Sequence, residues 1–212
     1  MEKKIIIFGG SSGIGFELVK YYLNKKFYVF TTYNKSKRDL LKFKKVYRDK
    51  LYFRKVKLEN KISIKKFSLE IKKLSKDFDV LILNAIHSFR RKSFDKMSLS
   101  DFNKSFDFNY LSNVYLLKNL SFLFKNRKFK IIHISSLVSK NGSWGLSNYG
   151  PIKAAIDNLF KCLKYEYKGF VTFKSIYLGA VNTKGYRFVN KKRKSKNIIS
   201  VEKARLKILK KL

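Results

Sequence analysis

Short apolar runs alternate with stretches of helical periodicity along almost the whole chain of 212 residues. The runs are rich in β-branched residues and end at glycine or polar residues, a pattern typical of buried strands. Strands that alternate with helices are joined by right-handed crossovers, so the pattern predicts one parallel sheet with helices on both faces. The predicted strands span residues 4–8, 27–32, 51–58, 79–83, 130–134 and 171–178.

Helical periodicity occupies the segments between these strands. Apolar residues recur there at a spacing of three or four, which places them on one face of a helix. The pattern contains no internal repeat and no linker-like stretch, so residues 1–212 are predicted to form a single domain. The predicted helices span residues 14–24, 62–74, 102–124, 147–167 and 201–212.

The composition is strongly basic, with 50 lysines and arginines, 14 acidic residues and a formal net charge of +36. Such a charge favours contact with phosphates, including those of nucleic acids. However, 41 of the basic residues are lysines that are spread through every segment, a bias expected from an A/T-rich genome. The densest cluster, at residues 191–196, is either a solvated loop or an anion-binding patch. We predict no specific nucleic-acid partner.

Features of an exported or membrane protein are not expected. The apolar run Ile5-Ile6-Ile7-Phe8 is too short for a signal-peptide core, and no later segment approaches a membrane span. The single cysteine, Cys162, cannot form an internal disulfide, and its helical setting predicts a buried small apolar group. No cluster of residues has metal-ligand spacing. The sequence therefore predicts a cytoplasmic protein without a membrane segment or a metal site.

A glycine-rich turn, Gly9-Gly10-Ser11-Ser12-Gly13-Ile14-Gly15, follows the first predicted strand. The first glycine permits a sharp turn, and the later two let the backbone and the next helix approach a ligand closely. A helix N-terminus attracts anions through its free amides and its dipole. Between a strand and a helix, the turn is predicted to bind a dinucleotide pyrophosphate, the alternative being a mere tight connection.

A second cluster follows the fifth predicted strand. Ser136 stands thirteen residues before Tyr149, and Lys153 follows that tyrosine by four. A spacing of four places both side chains on one face of a helix, where the ammonium can stabilise a phenolate. Asn84 follows the fourth strand and residues 179–183 follow the sixth, and ligands bind at such carboxyl ends. Taken singly, each residue also has a structural explanation, such as a surface pair or a loop cap.

Together with the glycine turn, these segments resemble the short-chain dehydrogenase/reductase family, in the branch with TGxxxGxG and YxxxK fingerprints. Phe8 replaces the threonine of the first fingerprint. Leu83-Asn84-Ala85-Ile86 keeps the centre of the family's NNAG motif, and Leu178-Gly179-Ala180-Val181-Asn182-Thr183 matches its PG-x-V-x-T segment with leucine for proline. Asn109 stands where the family has a helix asparagine. The resemblance implies a Rossmann-like, doubly wound α/β fold, here of about six strands, with the family's C-terminal strand missing and a sheet edge exposed.

The resemblance also implies an NAD(P)(H)-dependent oxidoreductase that interconverts a carbonyl and an alcohol. Tyr149 would be the acid/base, and because free tyrosine has a pKa near ~10 it needs help at neutral pH. Lys153 would lower that pKa and bind the nicotinamide ribose, Ser136 would hold the substrate oxygen, and Asn109 would order a proton-relaying water. The altered Asn84-Ala85 motif and the missing strand leave an alternative, a catalytically silent family member that binds NADP(H) and a partner.

The loop after the second strand bears on the choice of cofactor. An acidic residue there binds the ribose hydroxyls of NAD, whereas basic residues accommodate the 2′-phosphate of NADP. This chain has Asn34-Lys35-Ser36-Lys37-Arg38, which favours NADP over NAD, although lysine is frequent throughout. Lys57 stands where the family carries an adenine-binding aspartate. The residues expected at the cofactor are Gly9, Ser11, Ser12, Gly13, Ile14, Gly15, Asn34, Lys35, Arg38, Asn84, Ala85, Tyr149, Lys153, Gly179, Val181 and Thr183.

The segment between the sixth strand and the last helix is short and basic, and the family has its substrate lid there. A short lid predicts an open site for a small-molecule carbonyl or alcohol, contacted by lid residues such as Tyr186, Arg187 and Phe188. Family members pair through the helices predicted at 102–124 and 147–167, which implies a homo-oligomer. His133 is predicted to be a core or neighbour-bonded residue, and His87, which follows Asn84-Ala85, is a candidate for lining the site.

Overall fold

The computed structural model describes residues 3–87, 89–125, 129–190 and 197–212. They contain a six-stranded parallel sheet in the order β3-β2-β1-β4-β5-β6. The predicted doubly wound parallel sheet is confirmed, while the single domain over residues 1–212 stays a prediction. The strands are β1 (Lys4–Phe8), β2 (Tyr28–Tyr33), β3 (Leu51–Lys55), β4 (Val80–Leu83), β5 (Phe129–Ser136) and β6 (Val171–Leu178).

Helices cover both faces of the sheet. One core lies under α3, α5 and α7 and contains Phe67, Leu116 and Phe160, while the other lies under α1 and α9 and contains Leu18 and Ile208. Each such side chain contributes about 1.5–3 kcal/mol when it leaves water. The helices are α1 (Gly13–Asn24), α2 (Arg38–Tyr47), α3 (Lys61–Leu74), α4 (Leu99–Ser105), α5 (Ser112–Asn119), α6 (Val138–Asn141), α7 (Gly150–Glu166), α8 (Lys184–Val189) and α9 (Val201–Leu209).

The strand order reverses between β1 and β4, which are adjacent in the sheet although a long stretch of chain separates them. Phe8 pairs with Leu83, Leu83 with His133, and Ser136 with Leu178. The segments that follow β1, β4, β5 and β6 therefore emerge along one edge of the sheet. In open sheets of this kind, ligands bind at such a reversal point, beyond the carboxyl ends of the strands.

The long helix predicted over residues 102–124 has other bounds in the structure, because helical backbone begins at Leu99 and ends at Asn119 and includes a π-helical turn. After α4, residues Phe106–Leu111 form a π-helical segment, α5 follows, and a 3₁₀ turn at Ser121–Phe124 ends it. A pattern based on 3.6 residues per turn locates the buried face but does not predict where a π turn inserts an extra residue. Such turns often mark functional sites, and Asn109 is buried within this one.

Two smaller features complete the fold. In the part of the chain that the structure describes, no helix combines the length and apolar character needed to cross a membrane. Cys162, predicted to be buried, is exposed. It lies on α7 outside the buried stripe of Ile152, Ile156 and Phe160, so its helical setting alone did not determine its burial.

Candidate active site

The glycine turn after β1 is held in a backbone conformation that only glycine adopts easily. Gly9 has φ +92° and Gly13 has φ +55°. A Cβ added at Gly15 would lie 2.0 Å from the carbonyl oxygen of Gly9. The Asn84 side-chain amide donates to that same oxygen at 2.7 Å, and the Ala85 backbone amide donates to the carbonyl of Phe8 at 2.6 Å. Asn84 and Ala85 therefore brace the turn from the end of β4.

The loop after β6 closes against this turn. A Cβ at Gly13 would lie 3.1 Å from Cγ2 of Thr183, whose Oγ1 accepts from the backbone amide of Tyr186 at the start of α8. Val181 is buried and forms an isolated parallel bridge with Ile199. The turn and this loop therefore lie against each other at the N-terminus of α1. The chemistry of this turn suits a diphosphate, because helix-terminal amides bind anions and glycine permits close approach of a ligand to the backbone.

The residues predicted to recognise the cofactor ribose lie at the neighbouring strand. β2 pairs with β1 in parallel, with Thr31 opposite Ile7, so the end of β2 shares the edge that carries the glycine turn. Asn34 is half-buried, whereas Lys35 and Arg38 are exposed at the end of β2 and the start of α2. Ser11 is half-buried and Ser12 is exposed, so these hydroxyls and cations are open to an anion from solvent.

Tyr149 is the N-cap residue of α7, and Ser136, the last residue of β5, hydrogen-bonds to it. Burial of the tyrosine hydroxyl raises its pKa to about 12, while the hydrogen bond with Ser136 acts in the opposite direction. The ring of Phe89 stacks on that of Tyr149, with a centroid distance of 4.7 Å and an interplanar angle of 27°. One face of the candidate acid/base is therefore covered by an aromatic side chain.

Lys153 is buried one turn further along α7. Its Nζ donates to the carbonyl oxygen of Ile134 at 2.8 Å and lies 3.2 Å from Nε2 of His133. The same atom lies 5.9 Å from the centroid of the Tyr149 ring. Burial lowers the pKa of Lys153 to about 8, and the charge of Asp157 opposes this shift. The ammonium thus prevails at neutral pH, close to the phenol ring.

Asn109 connects the π-helical segment to the loop after β4. Its Oδ1 accepts from the backbone amide of His87 at 2.6 Å, and its carbonyl oxygen accepts from the Asn113 side-chain amide at 2.7 Å. The His87 ring packs on Phe108, with a centroid distance of 4.9 Å. In this arrangement Asn109 holds the β4 loop in place.

Two arginines of the loop after β4 also contact the segment that follows β6. Arg91 Nε donates to Oδ1 of Asn190 at 2.7 Å, and its Nη1 donates to Ser143 Oγ at 3.1 Å and to the carbonyl of Trp144. The guanidinium of Arg90 lies 5.3 Å from the centroid of the Phe188 ring on α8. The lid thus includes a helix tied to the loop that carries Phe89. The basic cluster at residues 191–196 lies outside the described residues.

Sequence reasoning missed Phe89, the two arginines of the β4 loop and Asp157. Asp157 had a readable signal, because it follows Lys153 by four residues on the same helix and therefore shares its face. Phe89 had none, since a loop aromatic carries no periodicity and its partner is sixty residues away in sequence.

We expect Phe89→Ala to increase the nitration of Tyr149 by tetranitromethane. Without the stacked ring, Tyr149 gains access to solvent and its pKa falls toward the ordinary value. Each unit of that fall raises the phenolate fraction roughly tenfold, and the phenolate is the reactive form. Peptide mass spectrometry would quantify nitration, with Phe170→Ala, at an exposed position, as the control. Equal nitration of Tyr149 in wild type and Phe89→Ala would contradict the covering role of Phe89.

The family described as short chain dehydrogenase matches residues 3–194. The chain is 36% identical over 110 residues to a fatty acyl-CoA reductase of Acinetobacter baylyi, covering 50% of this chain and 37% of the relative. It is 28% identical over 165 residues to the 3-oxoacyl-[acyl-carrier-protein] reductase FabG of Rickettsia conorii, covering 77% and 66%. The structure of ElxO with NADP bound superposes with a TM-score of 0.85 at 21% identity, covering 98% of this chain and 90% of that one.

Proposed function

Because this chain belongs to the short chain dehydrogenase family of oxidoreductases, we propose that it interconverts a carbonyl and an alcohol with NADP(H). The observation that most supports this proposal is the convergence of Ser136, Tyr149 and Lys153 at the edge of the sheet that also carries the glycine turn. The chain spans 37% and 66% of the two relatives named above, so their activities bear on it only through this proposal.

The cofactor supplies the hydride when it is bound, and this chain's residues bind and orient it. The amides of the glycine turn and the hydroxyls of Ser11 and Ser12 would hold the diphosphate. Lys35 and Arg38 would pair with the 2′-phosphate, which distinguishes NADP from NAD. Support comes from their exposure at the end of β2 and from the NADP named in the ElxO structure.

Tyr149 would exchange the proton with the substrate oxygen. In the reductive direction Ser136 donates a hydrogen bond to the carbonyl oxygen, and the Tyr149 hydroxyl gives its proton to that oxygen as negative charge develops. The resulting phenolate requires a nearby cation, because burial raises the pKa of this tyrosine to about 12. Lys153 is that cation, and its pKa of about 8 keeps it charged below that pH.

A cofactor titration followed by a substrate panel tests this proposal. Purified protein should quench or enhance NADPH fluorescence on binding and should bind NADPH more tightly than NADH. The panel would contain ketones, aldehydes, sugars and acyl thioesters, the last because the two relatives are named as reductases of acyl-CoA and acyl-carrier-protein compounds. Failure to bind either nicotinamide cofactor would overturn the proposed function.

We expect Arg38→Glu to weaken NADPH binding about ten- to hundredfold and to change NADH binding far less. Charge-assisted hydrogen bonds to a phosphate contribute about 1.5–3 kcal/mol, and NADH lacks that phosphate. Lys45→Glu changes the net charge equally at the far end of α2 and is the matched control. Equal weakening of both cofactors in Arg38→Glu would place the 2′-phosphate elsewhere.

A second candidate function is a catalytically silent member of the family that binds NADP(H) and a partner. The stacking of Phe89 on Tyr149 favours it, because this ring covers one face of the group that would exchange the proton. Cofactor binding without hydride transfer across the whole panel would distinguish this candidate from the first.

We also propose that the protein acts in the cytoplasm as a homo-oligomer that pairs through the helices around α4, α5 and α7. Large apolar side chains are exposed on α4 and α7, with Leu99 81% and Tyr165 83% accessible. Phe106 of the π-helical segment is also exposed. Light scattering coupled to size exclusion would measure the mass, and a mass of 25.1 kDa, that of one chain, would refute pairing.

A further inference from the structure

Three ionisable side chains form a buried cluster next to the candidate active site. His133, Lys153 and Asp157 are 1%, 6% and 8% exposed. His133 Nε2 lies 3.2 Å from Lys153 Nζ, and His133 Nδ1 lies 3.0 Å from Oδ1 of Asp157. The imidazole, on β5, therefore bridges two residues of α7 that are one turn apart. The ammonium of Lys153 is the member of this cluster that lies nearest to Tyr149.

Hydrogen-bonding capacity determines where the imidazole proton lies. An ammonium group has donors only, so its contact with Nε2 requires that nitrogen to be the unprotonated acceptor. The proton of a neutral imidazole is then on Nδ1, where it donates to the Asp157 carboxylate. Burial and the charge of Lys153 lower the pKa of His133 to about 4, so the ring is neutral at pH 7.

Asp157 is held as a carboxylate by several donors. Ser135 Oγ donates to its Oδ2 at 2.7 Å, and Ser139 Oγ donates to the same oxygen at 3.0 Å. Burial works to raise the pKa of this carboxyl, but the hydrogen bonds from His133 and Ser135 hold it below the usual range. The buried cluster thus has the Lys153 cation at one end, the Asp157 anion at the other and the neutral His133 ring between them. Its net charge is zero, which limits the desolvation cost of burying both ions.

We propose that His133 and Asp157 are positioning residues that keep the Lys153 ammonium charged and hold it beside the Tyr149 ring. This inference rests on the proposed function and adds two residues to its machinery. A buried lysine without a counter-charge releases its proton readily, and a free four-carbon side chain samples many rotamers. The imidazole links the Asp157 carboxylate to Lys153, because Nδ1 donates to the carboxylate while Nε2 accepts from Nζ. The Ile134 carbonyl oxygen accepts a second hydrogen bond from Nζ and so fixes its orientation.

Other titratable groups also face the buried cluster of His133, Lys153 and Asp157. At the N-cap of α7, the centroid of the Tyr149 ring lies 5.9 Å from Lys153 Nζ. From β6, Tyr177 hydrogen-bonds to Asp157, and burial together with that charge raises its pKa. On α6, Lys140 lies 4.0 Å from the centroid of the Tyr177 ring. Both tyrosines are neutral near pH 7, so Asp157 is the anion that balances Lys153 in this cluster.

Nitrogen-15 NMR of the imidazoles tests the proposal without any turnover. The chain has only two histidines, so the His133→Asn spectrum assigns His133 directly. In wild-type protein we expect a neutral His133 with its proton on Nδ1 at pH 7, unchanged on acidification to pH ~5. In Asp157→Asn we expect Lys153 to lose its proton at a lower pH. Because a neutral amine can accept as well as donate, the preference of His133 for Nδ1 should then be lost. A wild-type His133 that carries its proton on Nε2 would overturn the proposal.

The pH profile of kcat supplies the second readout. Removing the Asp157 charge lowers the pKa of Lys153, so the alkaline limb of kcat should move to lower pH by about one to three units in Asp157→Asn. His133→Asn should retain a limb near that of wild type, because its amide can accept from Lys153 and donate to Asp157. His133→Leu has neither group and should shift like Asp157→Asn.

Asp49→Asn is the matched control, since it makes the same charge change at an exposed position just before β3, at the opposite edge of the sheet. An alkaline limb that Asp157→Asn leaves unmoved would overturn the proposal. If wild-type protein transferred no hydride, the proposed function would fail instead, and the NMR measurement would still decide the positioning role.

Discussion

Replacing Tyr149 with phenylalanine is expected to lower kcat by about 10²–10⁴-fold, the usual contribution of a positioned acid/base. Tyr149→Phe removes the proton donor but keeps the ring that stacks on Phe89, so packing at the start of α7 is preserved. The affinity for NADPH should change about tenfold at most, because a single neutral hydrogen bond contributes about 0.5–1.5 kcal/mol. A large fall in kcat with binding retained would separate proton transfer from cofactor binding.

Steady-state kinetics with the best substrate of the panel, together with fluorescence titration of NADPH, would measure both quantities. Tyr165→Phe is the matched control, since it makes the same change on the exposed side of the same helix. A Tyr149→Phe variant that keeps wild-type turnover would remove Tyr149 from the mechanism and would require another proton donor. Loss of NADPH binding in that variant would instead make Tyr149 a binding residue.

The second large effect is expected from Gly15→Ala, which should abolish most of the affinity for NADPH. The added Cβ would lie 2.0 Å from the Gly9 carbonyl oxygen and 2.5 Å from the Asn84 side-chain nitrogen. Either the turn opens or the hydrogen bond between Asn84 and Gly9 breaks, and both displace the amides at the start of α1. An anion at a well-placed helix N-terminus gains up to ~2 kcal/mol, so its loss corresponds to about thirtyfold in affinity.

Stability must be measured alongside binding, because overpacking of this kind costs about 1–3 kcal/mol of unfolding free energy. Thermal unfolding would identify Gly15→Ala protein that remains folded, and NADPH titration would be made on that protein. Gly185→Ala is the control, since its Cβ would approach Thr183 Oγ1 only to 3.8 Å, an ordinary contact. Wild-type NADPH affinity in folded Gly15→Ala would contradict the placement of the diphosphate at this turn.

Much of the fold was predictable because strand and helix periodicities are local properties of the sequence. β1 and β6 lie at the predicted residues, and the other four strands shift by a few residues at their ends. The π turn in the 102–124 segment was not predictable, because a pattern of 3.6 residues per turn does not show where an extra residue is inserted. The exposure of Cys162 likewise depended on which face of α7 meets the sheet.

The candidate site was predictable in its parts and only partly in its assembly. Spacing placed Tyr149 and Lys153 one helical turn apart, and the structure has the Lys153 amide bonded to the Tyr149 carbonyl. The direction of the lysine side chain was not predictable, since it depends on His133 from a neighbouring strand. The stacking of Phe89 on Tyr149 was not predictable either, because Phe89 belongs to a loop without periodicity.

The sequence by itself determined the alternation of strands and helices, the glycine turn, and the order in which Ser136, Tyr149 and Lys153 follow β5. These features depend on residue type and on spacing within one element, where a period of two or 3.6 residues suffices. Only the tertiary structure decided which groups from different elements meet. It joined His133 to Asp157 and Lys153, and Phe89 to Tyr149, because such contacts arise from strand register and loop closure.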